Sequence, residues 1–304
     1  MTRYRRSLLQ AALLTVWLTP AGWSADPRPE AKIALTFFGW SDQHVPVDGN
    51  GEHLLPAIDA MNALPGQPYP EAIGGVVEKP AFVFGCGDIS EWPSRAAKDT
   101  YEQLITKRLK FPTCDIAGNH DIGGLSPNDA VLQWLTQRHG ALRYTFEKGG
   151  VLFIGLFSEY NESLNNPAQP ISKEALDYLR AMLAKVPKGK PVVVATHLCF
   201  DAITNRDELV DAFGDANVIL VLGGHYHKAT VNQYRGINFV QLPSPEPKSS
   251  REFTVLRITS DRLIALPFNY RDNKWATDKR KILDTAIKGP ARAQVQEQTT
   301  EPRK

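Results

Sequence analysis

The chain has 304 residues, 42% hydrophobic and 22% charged, with 22 glycines and 22 prolines, a globular composition that excludes disordered, collagenous and coiled-coil proteins. The formal charge is +2, and without Arg3, Arg5 and Arg6 the remainder is close to neutral, so there is no basic excess for stable nucleic-acid binding. Three cysteines in this length exclude a disulfide scaffold and a four-cysteine zinc module.

Residues 1–25 read as an export signal. Arg3, Arg5 and Arg6 form a basic start, Ser7 to Leu18 is mostly apolar, and Thr19-Pro20-Ala21-Gly22-Trp23-Ser24-Ala25 is a small-residue exit. Arg5-Arg6-Ser7-Leu8-Leu9-Gln10 also resembles a twin-arginine signal, so a periplasmic or secreted protein is expected. The apolar core is short for a spanning helix and later apolar runs are shorter still, so no membrane span is expected in the mature chain.

After about residue 30, bounded β-rich runs recur at Ile33 to Gly39, Ala81 to Gly85, Thr113 to Ala117, Val151 to Phe157, Val192 to Thr196 and Val218 to Leu222. Helical spacing marks Thr100 to Leu109 and Ser172 to Val186, the second with Ser172 as N-cap, and Ser126-Pro127-Asn128-Asp129 opens another helix. Strands alternating with helices predict an α/β fold with parallel βαβ units. From about residue 228 the pattern changes to antiparallel hairpins: Thr230 to Tyr234, Ile237 to Leu242, Phe253 to Ile258 and Leu263 to Phe268. One domain, 30–285, is expected, followed by a polar tail over 288–304.

Chemistry gathers where the apolar runs stop. Asp42-Gln43-His44 follows the first, Gly87-Asp88 the second and Gly118-Asn119-His120-Asp121 the third, while His197 and then Gly224-His225-Tyr226-His227 end two more. That end of the sheet is where open α/β folds place ligands. Of seven histidines, five lie at these strand ends, and only His53 and His139 lie elsewhere. A lone histidine is ordinarily a surface or core residue, but this recurrence at one kind of place is not ordinary. Side chains two apart on extended chain share a face, so Asp42/His44 and His225/His227 can each act as a pair. The donor set is imidazole and carboxylate or amide oxygen with no necessary thiolate, which suits Mn, Fe, Zn, Co or Ni and suits Ca poorly. It is too large for one ordinary site, and a carboxylate shared between two ions resolves the excess.

The ordered set Asp-x-His, Gly-Asp, Gly-Asn-His-Asp, His and Gly-His-x-His resembles the calcineurin-like metallophosphoesterases, over about Ile33 to His227. The resemblance implies a four-layer αββα sandwich with a two-metal site at the strand ends. It implies Asp42, His44 and His227 on the first metal, Asn119, His197 and His225 on the second, and Asp88 bridging. His120 would be general acid or charge stabiliser beside the leaving group, oriented and polarised through a hydrogen bond to Asp121. A metal-bridging hydroxide would attack the phosphorus of a small phosphomonoester or phosphodiester, nucleotides included. Where many members carry Gly-Asp-x-x-Asp, this chain has Glu91 at the last position, and the tyrosine of the purple acid phosphatase branch is missing there.

A cyclic-nucleotide phosphodiesterase uses the same motifs, although diesterase members often carry glutamate where this chain has Asp121. A non-catalytic scaffold usually loses ligands, and none is missing here. A dedicated nuclease would want a basic groove that the composition does not provide. The Gly- and Pro-rich text between His44 and Asp88 reads as a loop beside the site, and Trp40, Trp92, Tyr160, Phe200 and Tyr226 flank the motifs either as pocket lining or as packing. Glu159-Tyr160-Asn161 can face the metals. Cys86 and Cys114 lie on strands expected to be neighbours, leaving a disulfide or two free thiols open.

Overall fold

A computed structural model of the chain describes residues 33–123, 128–160 and 167–287. The export signal at 1–25, the tail at 288–304 and the expected helix opening at Ser126-Pro127 lie outside these residues. In chain order the elements are β1 (Ala34–Trp40), α1 (Leu55–Ala63), β2 (Val83–Cys86), α2 (Arg95–Lys107), β3 (Thr113–Ile116), α3 (Ala130–His139), β4 (Tyr144–Lys148), β5 (Val151–Gly155) and α4 (Lys173–Leu183). They continue with β6 (Val192–Ala195), α5 (Arg206–Asp211), β7 (Val218–Gly223), β8 (Thr230–Tyr234), β9 (Ile237–Gln241), β10 (Glu252–Thr259), β11 (Arg262–Asn269), β12 (Lys274–Trp275) and β13 (Leu283–Ala286).

Two mixed sheets result. The first runs β12-β11-β10-β1-β2-β3, with β13 also on β11, and its β1, β2 and β3 are parallel. The second runs β4-β5-β6-β7-β9-β8, in which β5, β6, β7 and β9 are parallel. Residue alternation assigns the layers. Phe37 and Phe84 of the first sheet join Phe153, Val193 and Leu220 of the second in one apolar cluster, with Phe37 edge-on to Phe153 at 5.4 Å. Their sequence neighbours Phe38, Val83, Ile154, Val194 and Val221 belong instead to a cluster with the helical residues Ile58, Tyr101, Leu176, Leu179 and Leu209. Helix, sheet, sheet and helix therefore stack as four layers, as the resemblance implied.

Local chemistry accounts for the helix boundaries. Ser94 and Ser172 cap α2 and α4 by accepting hydrogen bonds from the backbone N–H groups of Ala97 and Ala175. Gly140, at φ 83°, ends α3 in the left-handed conformation. The segment between His44 and Asp88 is not simply a loop, because it contains α1, whose Ala57, Ile58 and Met61 are buried. Two hairpins form as expected, but β8–β9 extends the second sheet while β10–β11 joins the first beside β1. The chain therefore crosses between sheets over residues 242–251. Among the described residues no helix is long and apolar enough to cross a membrane.

Candidate metal centre

Five strand ends deliver the candidate ligands. Asp42 and His44 follow β1, Asp88 follows β2, Asn119 follows β3, His197 follows β6, and His225 and His227 follow β7. The backbone stitches these turns together: Asp42 N donates to the Gly87 carbonyl and His44 N to the Asp88 carbonyl, both at 2.9 Å, while Gly224 N reaches the His197 carbonyl at 2.7 Å. Five of the eight described non-glycine residues with positive φ are Asp42, His44, Asp88, His225 and His227, so backbone strain is concentrated on ligand positions. Gly118 is required by close approach, since a Cβ there would collide with the Asp88 carboxylate.

Five of the candidate side chains form two groups about Asp88. On one side, His227 Nε2 lies 3.2 Å from His44 Nε2 and 3.5 Å from Asp42 Oδ1, and His44 Nε2 lies 3.9 Å from Asp42 Oδ1. On the other side, His197 Nε2 lies 3.3 Å from His225 Nδ1. Asp88 Oδ2 sits between them, 3.1 Å from His197 Nε2 and 3.7 Å from His44 Nε2. Asn119 Oδ1 is buried and has no hydrogen-bond partner.

This arrangement demands cations. His197 Nδ1 lies 2.8 Å from the Cys86 carbonyl, which only accepts, so Nδ1 donates there and the lone pair of neutral Nε2 points at a carboxylate oxygen. His227 Nδ1 likewise donates to Glu246 Oε2 at 2.9 Å, leaving its Nε2 lone pair against Asp42 and His44. Without metal, protons must substitute. Burial pulls His197 down, but the Asp88 carboxylate against it overcomes that and pushes it up to about 9. Burial also acts against ionised Asp88, yet the charge of and hydrogen bond from His197 hold it well below the usual carboxylate range. Burial raises Asp42 to about 6 and lowers His44 and His225 to about 4, which leaves both imidazoles unprotonated for coordination at neutral pH. Orphaned oxygen, facing lone pairs and a borderline donor set together fit a pair of transition-metal ions.

His120 is placed differently from the expectation. Its backbone N–H donates to Asp88 Oδ1 at 2.8 Å and its Nδ1–H to the main-chain carbonyl of Glu91 at 2.7 Å, while Trp92 stacks on its ring at 4.4 Å. Asp121 does not orient it. The Asp121 carboxylate is saturated by the N–H groups of Ile89, Ser90 and Gly118 and by the Ser90 hydroxyl, so it fastens the turn after β2 to the turn after β3. Its burial, rather than any bond to His120, is the chief reason its pKa rises to about 6.

The other flanking residues separate into two kinds. Trp40 is fully buried core, and the half-buried Phe200 packs against the core on Phe239. Tyr160 accepts the His197 N–H at 3.3 Å through its hydroxyl. Glu159 pairs with Arg143 and accepts from Ser172, and Asn161 lies outside the described residues. The three cysteines are free, and the β2–β3 register sets Phe84, not Cys86, opposite Cys114. Sequence reasoning missed His53, Glu52 and Glu246. They join His44, Asn50 and Glu91 around a cavity of about 380 Å³ beside the first group of ligands.

Residues 40–229 match the profile of the calcineurin-like phosphoesterase family. The serine/threonine-protein phosphatase CPPED1 of Homo sapiens is 27% identical over 194 residues, which cover 56% of this chain and 60% of that protein. The Rattus norvegicus protein of the same name is 25% identical over 219 residues, covering 64% and 69%. The chain thus spans about 60% of the length of the first of these relatives. Among solved structures, a dimetal phosphatase from Danio rerio superposes with a TM-score of 0.59 at 15% identity, covering 84% of this chain and 99% of that one. GAP50, described as the anchor in the inner membrane complex of Plasmodium, superposes with a TM-score of 0.56 at 15% identity, covering 86% and 91%. At such identities these superpositions speak to the fold alone.

Proposed function

The chain belongs to the calcineurin-like phosphoesterase family, and from that premise we propose that it is an exported two-metal hydrolase of small phosphoesters. Asp42, His44 and His227 hold one ion, Asn119, His197 and His225 the other, and Asp88 serves both. Ions bound there supply Lewis-acid polarisation of the phosphoryl oxygens and lower the pKa of an attacking water. The observation that carries this reading is the convergence of six of the seven donors from four strand ends, with Asp88 within 4 Å of histidines from both groups.

The protein's own groups do the rest. Asp88 and Asp42 would offset the cationic charge, and left-handed turns position Asp42, His44, Asp88, His225 and His227. With Nδ1–H committed to Glu91, the imidazolium of His120 has Nε2–H left to give to the departing alkoxide. Trp92 stacks on that ring at 4.4 Å and limits its rotation. The cavity lined by His53, Glu52 and Glu91 receives the remainder of the substrate. Monoesters are the favoured class, supported by the phosphatase names of the curated relatives. The Arg5-Arg6 signal and the apolar run after it support export to the periplasm or medium.

The test combines elemental analysis with a chromogenic phosphomonoester and its bis-ester, each assayed with added Mn²⁺. Two ions per chain and faster turnover of the monoester are expected. Faster turnover of the bis-ester would transfer the assignment to a phosphodiesterase. A two-metal protein that turns over no phosphoester would leave only a scaffold of the same fold.

A further inference from the structure

We propose that Glu246, on the crossing between the sheets and beyond the stretch matched by the family profile, is a positioning residue that fixes one metal group through His227. This rests on the ligand assignment proposed above.

The two groups have ring orientations set by different means. His197 is turned by the carbonyl of Cys86, a main-chain atom that no substitution removes. His227 is turned by a side chain, Glu246 Oε2, at 2.9 Å from Nδ1. A carboxylate there selects the tautomer with the proton on Nδ1 and a bare Nε2, and it makes that nitrogen a stronger donor to a cation. Nε2 is the atom that meets Asp42 and His44.

Glu246 is itself held. Its N–H donates to Ser244 Oγ at 3.0 Å, and the buried Ser244 hydroxyl donates to the carbonyl of Asp42 at 2.7 Å. Ser249 Oγ donates to the Glu246 carbonyl at 2.7 Å, and Tyr270 donates to the Pro245 carbonyl at 3.2 Å. One short loop, flanked by Pro245 and Pro247, thus grips the backbone of Asp42 and the ring of His227, two ligands of the same ion.

The experiment is a Zn²⁺ titration against a chromogenic chelator for the wild type, Glu246→Ala and Glu246→Gln, with the melting curve of each metal-free protein as a check on folding. The wild type binds two ions. Glu246→Ala should weaken one of the two by about 10–100-fold and leave the other at wild-type affinity. Glu246→Gln, whose amide oxygen still accepts from Nδ1–H, should recover most of that loss. Unchanged binding of both ions by Glu246→Ala would overturn the proposal, as would equal weakening of both or a glutamine variant as weak as alanine. A wild type that binds fewer than two ions would instead defeat the two-metal reading, which separates the two failures.

Discussion

The imidazole of His120 is fixed by the main-chain carbonyl of Glu91, 2.7 Å from Nδ1, and not by the carboxylate of its neighbour Asp121. The ring packs edge-on against His44 at 4.6 Å but lies outside the proposed ligand set, which divides metal binding from proton transfer. His120→Ala should therefore keep both ions while turnover falls by about 10²–10⁴-fold. Elemental analysis beside steady-state rates checks this; loss of metal in that variant would make His120 a ligand.

Asp88 has the opposite profile. One oxygen faces both metal groups and the other takes the His120 N–H. Asp88→Asn should release both ions together, reducing metal content to near zero after gel filtration. Retention of one ion would mean that the carboxylate serves a single site.

The left-handed backbone at five ligand positions disfavours the site unless cations reward it, at roughly 1–2 kcal/mol for each such residue. Free ion at 100 times its dissociation constant stabilises by about 2.7 kcal/mol per site. Chelation should accordingly lower Tm by about 5–10 °C per ion in a domain of this size. Calorimetry with and without chelator measures it, and an unchanged Tm would contradict tight binding.

Acidity should act on the chelated protein from both sides. His44 and His225 are lowered from 6.5 to about 4, so the unfolded chain takes their protons first and stability falls as pH drops from 6.5 towards 4. Asp42 and Asp121, both raised to about 6, offset most of that loss because they favour the folded state on the acid side. His197, raised to about 9, contributes stability fully present below 6.5 and lost as pH rises through 9. Tm of the metal-free protein should therefore change little between pH 4.5 and 6.5 and fall as pH rises towards 9, and a Tm that rises over that alkaline range would exclude this scheme. Bound metal, taking the place of the His197 proton, should flatten the alkaline side.

Asp121 predicts a structural penalty. Its four buried donors would lose their acceptor in Asp121→Ala, at a cost of about 2–4 kcal/mol in denaturant unfolding. A variant of wild-type stability with an altered pH–rate profile would restore the expected role beside His120.

The strand-end motifs were readable because each combines an apolar run with ligand residues within a few positions, a short-range pattern. β8 and the capping of α4 by Ser172 follow from equally local signals. Other features depend on distance. Pro245-Glu246-Pro247 looks like any surface turn, and only the fold brings it to a histidine nineteen residues earlier. β4 is a half-exposed edge strand with little apolar content, and α1 is hidden among prolines and glycines. Asp121 adjoins His120 in sequence, yet its short side chain turns towards the amides of the neighbouring turn.

His44 and His227 are separated by 183 positions, and the strap that secures the latter arrives only after β9 has been laid down. A nascent polypeptide lacking its last third can present some of the donors but cannot assemble the cage. On the ligand assignment proposed above, cation capture would then close maturation rather than nucleate it, in contrast to small zinc modules that fold around their ion.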